Sequence, residues 1–321
     1  MATQKPEIIL IMIEKIVNSI GGLLSTLKIS KGLFVFCFLF GGGVILAWFY
    51  YTYQYSVNML FSDSWDYSRV FIDEFSVFQQ FFHQHGPQRM GLGLVITGIL
   101  HEFSYWDSKW ISFCVAILIF MSTVIYLLTK YKLFGKLNSY DVIIVALTLT
   151  LNQFEVLTIS PFLSHSAIPV VFISLFGLSL TIKPLITRNI LLFIISINLI
   201  FSSFGFFITP VFILLLSLEI IKAVSEKNRK EIIVGISTLF ILLITILLFF
   251  KGYDSNYVAH HVILDFKQAW NYLFYISLSY AGVFGIRGIG VVPITTGMFL
   301  FGVVCFVFVD SCIKLMKYSR T

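Results

Sequence analysis

Leu33-Phe-Val-Phe-Cys-Phe-Leu-Phe-Gly-Gly-Gly-Val-Ile-Leu-Ala-Trp-Phe-Tyr-Tyr-Thr-Tyr-Gln-Tyr55 runs without a single charged side chain. A helix needs about 20 predominantly apolar residues to cross hydrocarbon, so this stretch reads as a membrane span. Further candidates follow at Trp110–Leu128, Val142–Leu157, Ala167–Ile182, Ile190–Phe201, Phe207–Ile221, Ile232–Phe250 and Val291–Ile313. Trp270–Phe284 is a ninth apolar segment. The composition agrees: 58% of the 321 residues are hydrophobic and 12% charged, more apolar surface than a soluble domain can hide. Backbone groups in lipid must be satisfied internally, and the runs lack the alternation of a lipid-facing barrel. The expected fold is an all-α, polytopic transmembrane bundle of about eight to nine spans.

No polar stretch is long enough to fold alone. Residues 31–321 therefore read as one bundle, with an outer loop at 61–109. Ahead of it, Ile8, Ile11, Met12, Ile16, Ile20 and Leu23 recur at helical spacing, so 1–30 reads as an amphipathic segment lying on the membrane. Cys37, Cys114, Cys305 and Cys312 lie in or beside apolar runs with no Cys-x-x-Cys spacing, which speaks against disulfides and zinc.

The net charge of +6 comes from basic residues scattered between the spans rather than gathered in an aromatic-interleaved patch, so nucleic acid is not an expected partner. These residues instead set orientation. With the N-terminus in the cytoplasm and eight spans alternating, 16 of the 22 Lys and Arg fall on the cytoplasmic side, which favours both termini inside. A full crossing by Trp270–Phe284 would carry the basic tail outside, so that segment reads as re-entrant or interfacial.

This orientation puts a polar island outside. Phe61–Lys109 holds Asp63, Asp66, Asp73, Glu74, Glu102 and Asp107 together with His83, His85, His101 and Arg89. Asp63 and Asp66 are three apart, so a helical turn would set them on one face, where one carboxylate can act as a general base. Trp65 between them suits an interfacial anchor or a platform for a sugar ring. A solvated turn with anchoring aromatics fits the same spacing. His83 and His85 do not share a helical face, although an extended loop could bring both to one metal. His101 reads as a solvated interfacial residue. Arg89 follows the Gly86-Pro87 turn with a planar fork suited to phosphate, or serves as a snorkelling or ion-paired arginine. Glu155 and Gln153 lie near the outer end of the third expected span, where an ionisable residue is costly unless it is used or sits in water. Arg287 stands in a glycine-rich stretch that could cradle a phosphate or form a flexible turn.

The order of these features resembles the GT-C superfamily of lipid-phosphate-sugar-dependent glycosyltransferases. The resemblance rests on Asp63-Ser-Trp65 after the first span, His85-x-x-x-Arg89 running into an apolar helix, Gln153-x-Glu155, Ser202-Ser-Phe-Gly205, and Leu278-Ser-Tyr-Ala-Gly282. It implies transfer of a sugar from a polyprenyl-phosphate-linked donor to an extracytoplasmic glycan or lipid acceptor, in a bacterial inner membrane. Asp63 would be the base with Asp66 in support. Arg89 and Arg287 would hold the donor phosphate, and His85, Gln153, Glu155 and Trp65 would orient the substrates. No cofactor is expected, although the acidic residues leave a divalent metal open. A lipid-linked oligosaccharide flippase, or a non-catalytic membrane subunit of a polysaccharide assembly complex, would use the same outer charges differently.

Overall fold

The computed structural model describes residues 31–59, 64–159, 163–182, 184–256, 269–283, 286 and 289–318. The amphipathic segment expected at 1–30, the candidate base Asp63 and the candidate phosphate ligand Arg287 lie outside them. The described chain is helical apart from one short hairpin. In order it forms α1 (Lys31–Tyr55), α2 (Ser64–Ile72), α3 (Val77–Phe82), β1 (Gln84–His85), β2 (Gln88–Arg89), α4 (Gly91–Ser104) and α5 (Lys109–Phe134). There follow α6 (Val142–Thr148), α7 (Ile168–Ser179), α8 (Leu185–Ile200), α9 (Thr209–Ser225), α10 (Arg229–Phe250), α11 (Ala269–Val283) and α12 (Val291–Tyr318).

Among the described residues, three helices are long and apolar enough to cross a membrane: Val35–Tyr55 within α1, Lys109–Phe134 and Arg229–Phe250. Other expected spans appear as shorter apolar helices, among them Leu163–Ser179, Ile186–Ile200 and Val291–Val307. The segment expected to cross as Val142–Leu157 is not one helix. It stops at Thr148, because local side chains offer the backbone better partners than the next helical turn would. Gln153 Nε2 donates to the Thr148 carbonyl at 3.1 Å, and Thr150 Oγ1 accepts from the Asn152 N–H at 3.3 Å. Two wide π-type turns, Glu155–Ile159 and Leu163–Ala167, then lead into α7.

Two apolar cores hold the bundle together. In the first, Trp48 of α1 is fully buried against Ile111, Val115, Ala116 and Ile119 of α5, with Val145, Leu157, Leu163 and Ala167. The Trp48 indole N–H donates to the Ala116 carbonyl at 3.1 Å, so the buried polar edge of the ring is satisfied. The second core joins α7 to α10 through Phe176, Leu192, Leu199, Phe201, Phe212, Leu242 and Phe249. Phe172 of α7 packs against both. The opposite faces of α1 and α10 expose Phe36, Phe38, Leu46, Ile233, Phe240 and Leu247, a surface suited to lipid rather than water.

α11 and α12 pack on each other as a hairpin. A Cβ at Gly297 would stand 1.7 Å from the Ser277 carbonyl oxygen, so the two backbones nearly touch there. Ser277 and Ala281, one turn apart, keep the facing surface of α11 small. At 15 residues α11 is about 22 Å long, short of a full crossing.

Candidate functional site

The polar stretch after the first span begins, among the described residues, with α2, whose apolar positions fix its facing. Tyr67, Ser68 and Val70 turn inward, while Trp65, 64% exposed, and Asp66 point into solvent. Arg69 and Asp73 pair at 3.4 Å on that outer face, too exposed to contribute much. Asp66 and Trp65 therefore stand on the solvent side of α2.

After α3 the chain turns back through β1 and β2, with Gly86 at φ +57 making the tight turn. This hairpin is pinned to the end of α10. Tyr253 Oη donates to the Pro87 carbonyl at 3.0 Å, and Gln84 exchanges two hydrogen bonds with the backbone of Asp254. Ser203 Oγ donates to Gln88 Oε1. At the centre lies Arg89, 4% exposed. Its Nε donates to the Phe249 carbonyl at 3.1 Å and Nη2 to the Lys251 carbonyl at 2.7 Å, while Nη1 donates to the Phe82 carbonyl. These carbonyls belong to the last turns of α10 and α3, groups a helix cannot satisfy by itself and where its dipole is negative. The guanidinium also lies 6.0 Å from the Phe249 ring centre and 5.8 Å from that of Tyr253. Burial draws its pKa below the ordinary value, an effect Tyr253 partly offsets. Arg89 is thus the pin that joins two helix ends. Its fork, read from the sequence as a phosphate ligand, is turned to backbone oxygen.

Beneath α2 lies a small cavity of about 30 Å³, room for one or two water molecules, between α2, α4, α5 and the second π turn. Leu94, Ile111 and Leu163 make its apolar wall, and Ser64, Tyr67, Thr97, His101, Ser108 and Ser164 bring polar groups to it. Ser164 Oγ donates to the Met90 carbonyl at 2.8 Å, and a Cβ at Gly93 would meet Ser164 at 2.4 Å, so α4 lies hard against the π turn. Ser108 fixes the approach to the loop: its Oγ donates to the Val57 carbonyl at 3.0 Å and accepts from the Met59 N–H at 3.1 Å. Tyr67 is the meeting point of two distant imidazoles. Its ring contacts His85 edge-on at 4.9 Å between centres and lies 6.0 Å from that of His165.

His101 departs from the expectation of a solvated interfacial residue. It is 4% exposed, stacked on Trp106 at 4.4 Å and edge-on to Phe71 at 5.5 Å. Its Nδ1 has no hydrogen-bond partner among the described residues, and burial pushes its pKa down to about 4. His101 also lines a second, wider cleft of about 540 Å³, with Phe71, Phe75, Glu74, Gln80, Glu102 and Trp106. One neutral imidazole therefore separates an apolar inner cavity from a cleft of rings and carboxylates.

The other expected site residues fall elsewhere. Gln153 is committed to the Thr148 carbonyl, and Glu155 is exposed at the start of the first π turn. His83 is held below its ordinary pKa by burial, then by the charges of His85 and Arg89, so it stays neutral near pH 7. Among the described residues no group of three or more His, Cys, Asp or Glu is placed to hold a metal ion. Of the polar residues that line the cavity, Ser64, Tyr67, Thr97, His101 and Ser108 lie in the polar island that the sequence singled out, whereas Ser164, from the second π turn, carried no such signal. No family model, curated protein or solved structure matches the chain.

Proposed function

We propose that the chain is a membrane-embedded glycosyltransferase that takes a polyprenyl-phosphate-linked sugar at the cavity beneath α2. The observation that carries the reading is the cavity's position in the sequence. Met59 and Ser64, two of its lining residues, bracket the short segment that holds Asp63. At about 30 Å³ the cavity admits a hydroxyl or a water rather than a whole donor, so the donor lies at its mouth, where the hydroxyls and the imidazole of His101 reach towards the sugar. In the reaction the acceptor hydroxyl loses its proton to Asp63. Its oxygen bonds to the anomeric carbon, and the bond from that carbon to the phosphate oxygen breaks, releasing lipid phosphate. With Arg89 engaged by three carbonyls, Arg287 is the arginine assigned to that phosphate. Asp66, on the solvent face of α2, acts in support.

The test is consumption of a radiolabelled polyprenyl-phosphate sugar by the purified full chain in proteoliposomes. Wild type releases polyprenyl phosphate, Asp63→Asn does not, and Asp66→Asn retains most of the rate. Equal rates for Asp63→Asn and wild type would remove Asp63 from the mechanism. A second reading, a non-catalytic subunit of a polysaccharide assembly complex, is favoured by Arg89 and Glu155 lying outside the cavity. Binding of the donor without any turnover by wild type would select it.

A further inference from the structure

The cleft of about 540 Å³ that His101 shares with α2, α3 and α4 has no role in the transfer proposed above. Its polar groups accept hydrogen bonds and carry negative charge. Glu74 and Glu102 line it, both on exposed positions, and form no ion pair among the described residues. No lysine or arginine lines it among the described residues. Arg69, the nearest cation to Glu74 along the chain, is paired with Asp73 instead. Gln80 Nε2 is committed to the Phe75 carbonyl at 2.8 Å, which leaves its amide oxygen to the cleft. A Cβ at Gly98 would stand 3.0 Å from that oxygen and 2.7 Å from the Phe71 ring, so bare helix backbone fills the space between amide and ring.

The apolar lining is aromatic. Phe71 and Trp106 lie 6.1 Å apart between ring centres with their planes at 74°, and Phe71 meets the His101 ring at 67°. His101 and Trp106 stack within 20° of parallel. Two sets of ring planes therefore meet almost at right angles, and each π face is negative. His101 brings no competing charge, since burial keeps it neutral near pH 7. It is 4% exposed, and its Nδ1 has no partner among the described residues. A buried polar atom left unpaired is costly, and a ligand with a hydrogen-bonding group removes that cost. Angled rings, two unanswered carboxylates and a free amide oxygen are the complement of an organic cation. A neutral sugar would stack on the rings and leave both charges unanswered. A metal ion would find too few ligands, because no three His, Cys, Asp or Glu converge among the described residues.

We propose that this cleft binds an alkylammonium group, set against the Phe71 and Trp106 rings with Glu74 and Glu102 as its counter-charges. Free amino alcohols and choline-type lipid headgroups share that chemistry. The site does not depend on the transferase reading.

Equilibrium dialysis of radiolabelled choline against the purified full chain, in detergent at physiological salt, tests it. Wild type binds one choline per chain. The uncharged carbon analogue 3,3-dimethylbutan-1-ol, of the same shape, displaces it at least about fivefold less well than unlabelled choline does. Glu74→Gln/Glu102→Gln removes both charges at exposed positions and weakens choline binding by at least about fivefold. Trp106→Leu weakens it similarly, and the carboxylate pair keeps the test decisive if that variant fails to fold. Asp73→Asn removes the neighbouring carboxylate, which does not line the cleft, and leaves binding unchanged. Nanodiscs separate the two sources. Choline binding suppressed in phosphatidylcholine relative to phosphatidylglycerol assigns the lipid headgroup, and equal binding in both assigns a free solute. Equal displacement by choline and its neutral analogue, undiminished binding by the carboxylate variant, or no choline bound by wild type would each overturn the site.

Discussion

Replacing Arg89 by alanine separates its two roles. As a pin, the side chain makes three charge-assisted hydrogen bonds to the carbonyls of Phe82, Phe249 and Lys251. Bonds from a charged donor contribute roughly 1.5–3 kcal/mol each, and buried carbonyls left unpaired add to the loss. Against this stands the desolvation of the guanidinium, several kcal/mol that the alanine variant no longer bears. Part of the exposed oxygen, at Lys251, also regains water. The net expectation is about 3 kcal/mol of destabilisation, or roughly 4–5 °C in Tm for a chain of this size. Arg89→Lys should recover little, since one ammonium cannot reach three carbonyls that a planar fork spans. Thermal unfolding of purified wild type, Arg89→Ala and Arg89→Lys in one detergent gives the comparison. A Tm unchanged within about 2 °C, with binding of a lipid-linked sugar lost, would refute the reasoning and return Arg89 to the phosphate.

Two further outcomes follow from the packing and the protonation. At Gly297 even a methyl group meets the Ser277 carbonyl, so Gly297→Leu should force α11 from α12 and lower the Tm in a given detergent by several °C, and an unchanged Tm would dismiss the close approach. His101 has a folded pKa of about 4 against 6.5 unfolded, so the unfolded chain binds the extra proton between those values. Its contribution is intact above pH 6.5 and is lost as pH falls towards 4, by about 3 kcal/mol in all. His83, shifted the same way, adds to the slope. Tm measured from pH 7 to pH 4.5 should therefore fall less steeply for His101→Phe than for wild type, and equal slopes would dismiss His101 as the acid-sensitive group.

Hydropathy located the helices well, because an uncharged run such as Leu33–Tyr55 has few other ways to satisfy its backbone. It failed at Leu149–Gln153, where the side chains of Thr150 and Gln153 compete for backbone hydrogen bonds; a window average cannot register that contest. The residue types of the outer site were legible, but their directions were not. Arg89 after a glycine turn looks the same in sequence whether its fork faces a phosphate or the end of a helix 160 residues away. His101 closes an apolar stretch, a place that suits water as well as a pocket, and only the stacking of Trp106 upon it decides the matter. Trp65 and Asp66 lie on the exposed face of α2, while Tyr67, the next residue, turns inward to contact His85 and His165.

The pin at Arg89 also sets a schedule for biogenesis. Its partners at Phe249 and Lys251 are translated 160 and 162 residues after it. At 5–20 residues per second, the outer loop emerges roughly 8–30 s before the helix end that completes it. Through that interval the guanidinium lacks two of its three acceptors, and the hairpin it pins stands open to proteases and chaperones. Slowing the ribosome between α4 and α10 should lengthen this exposure and lower the yield of full-length protein without altering any residue.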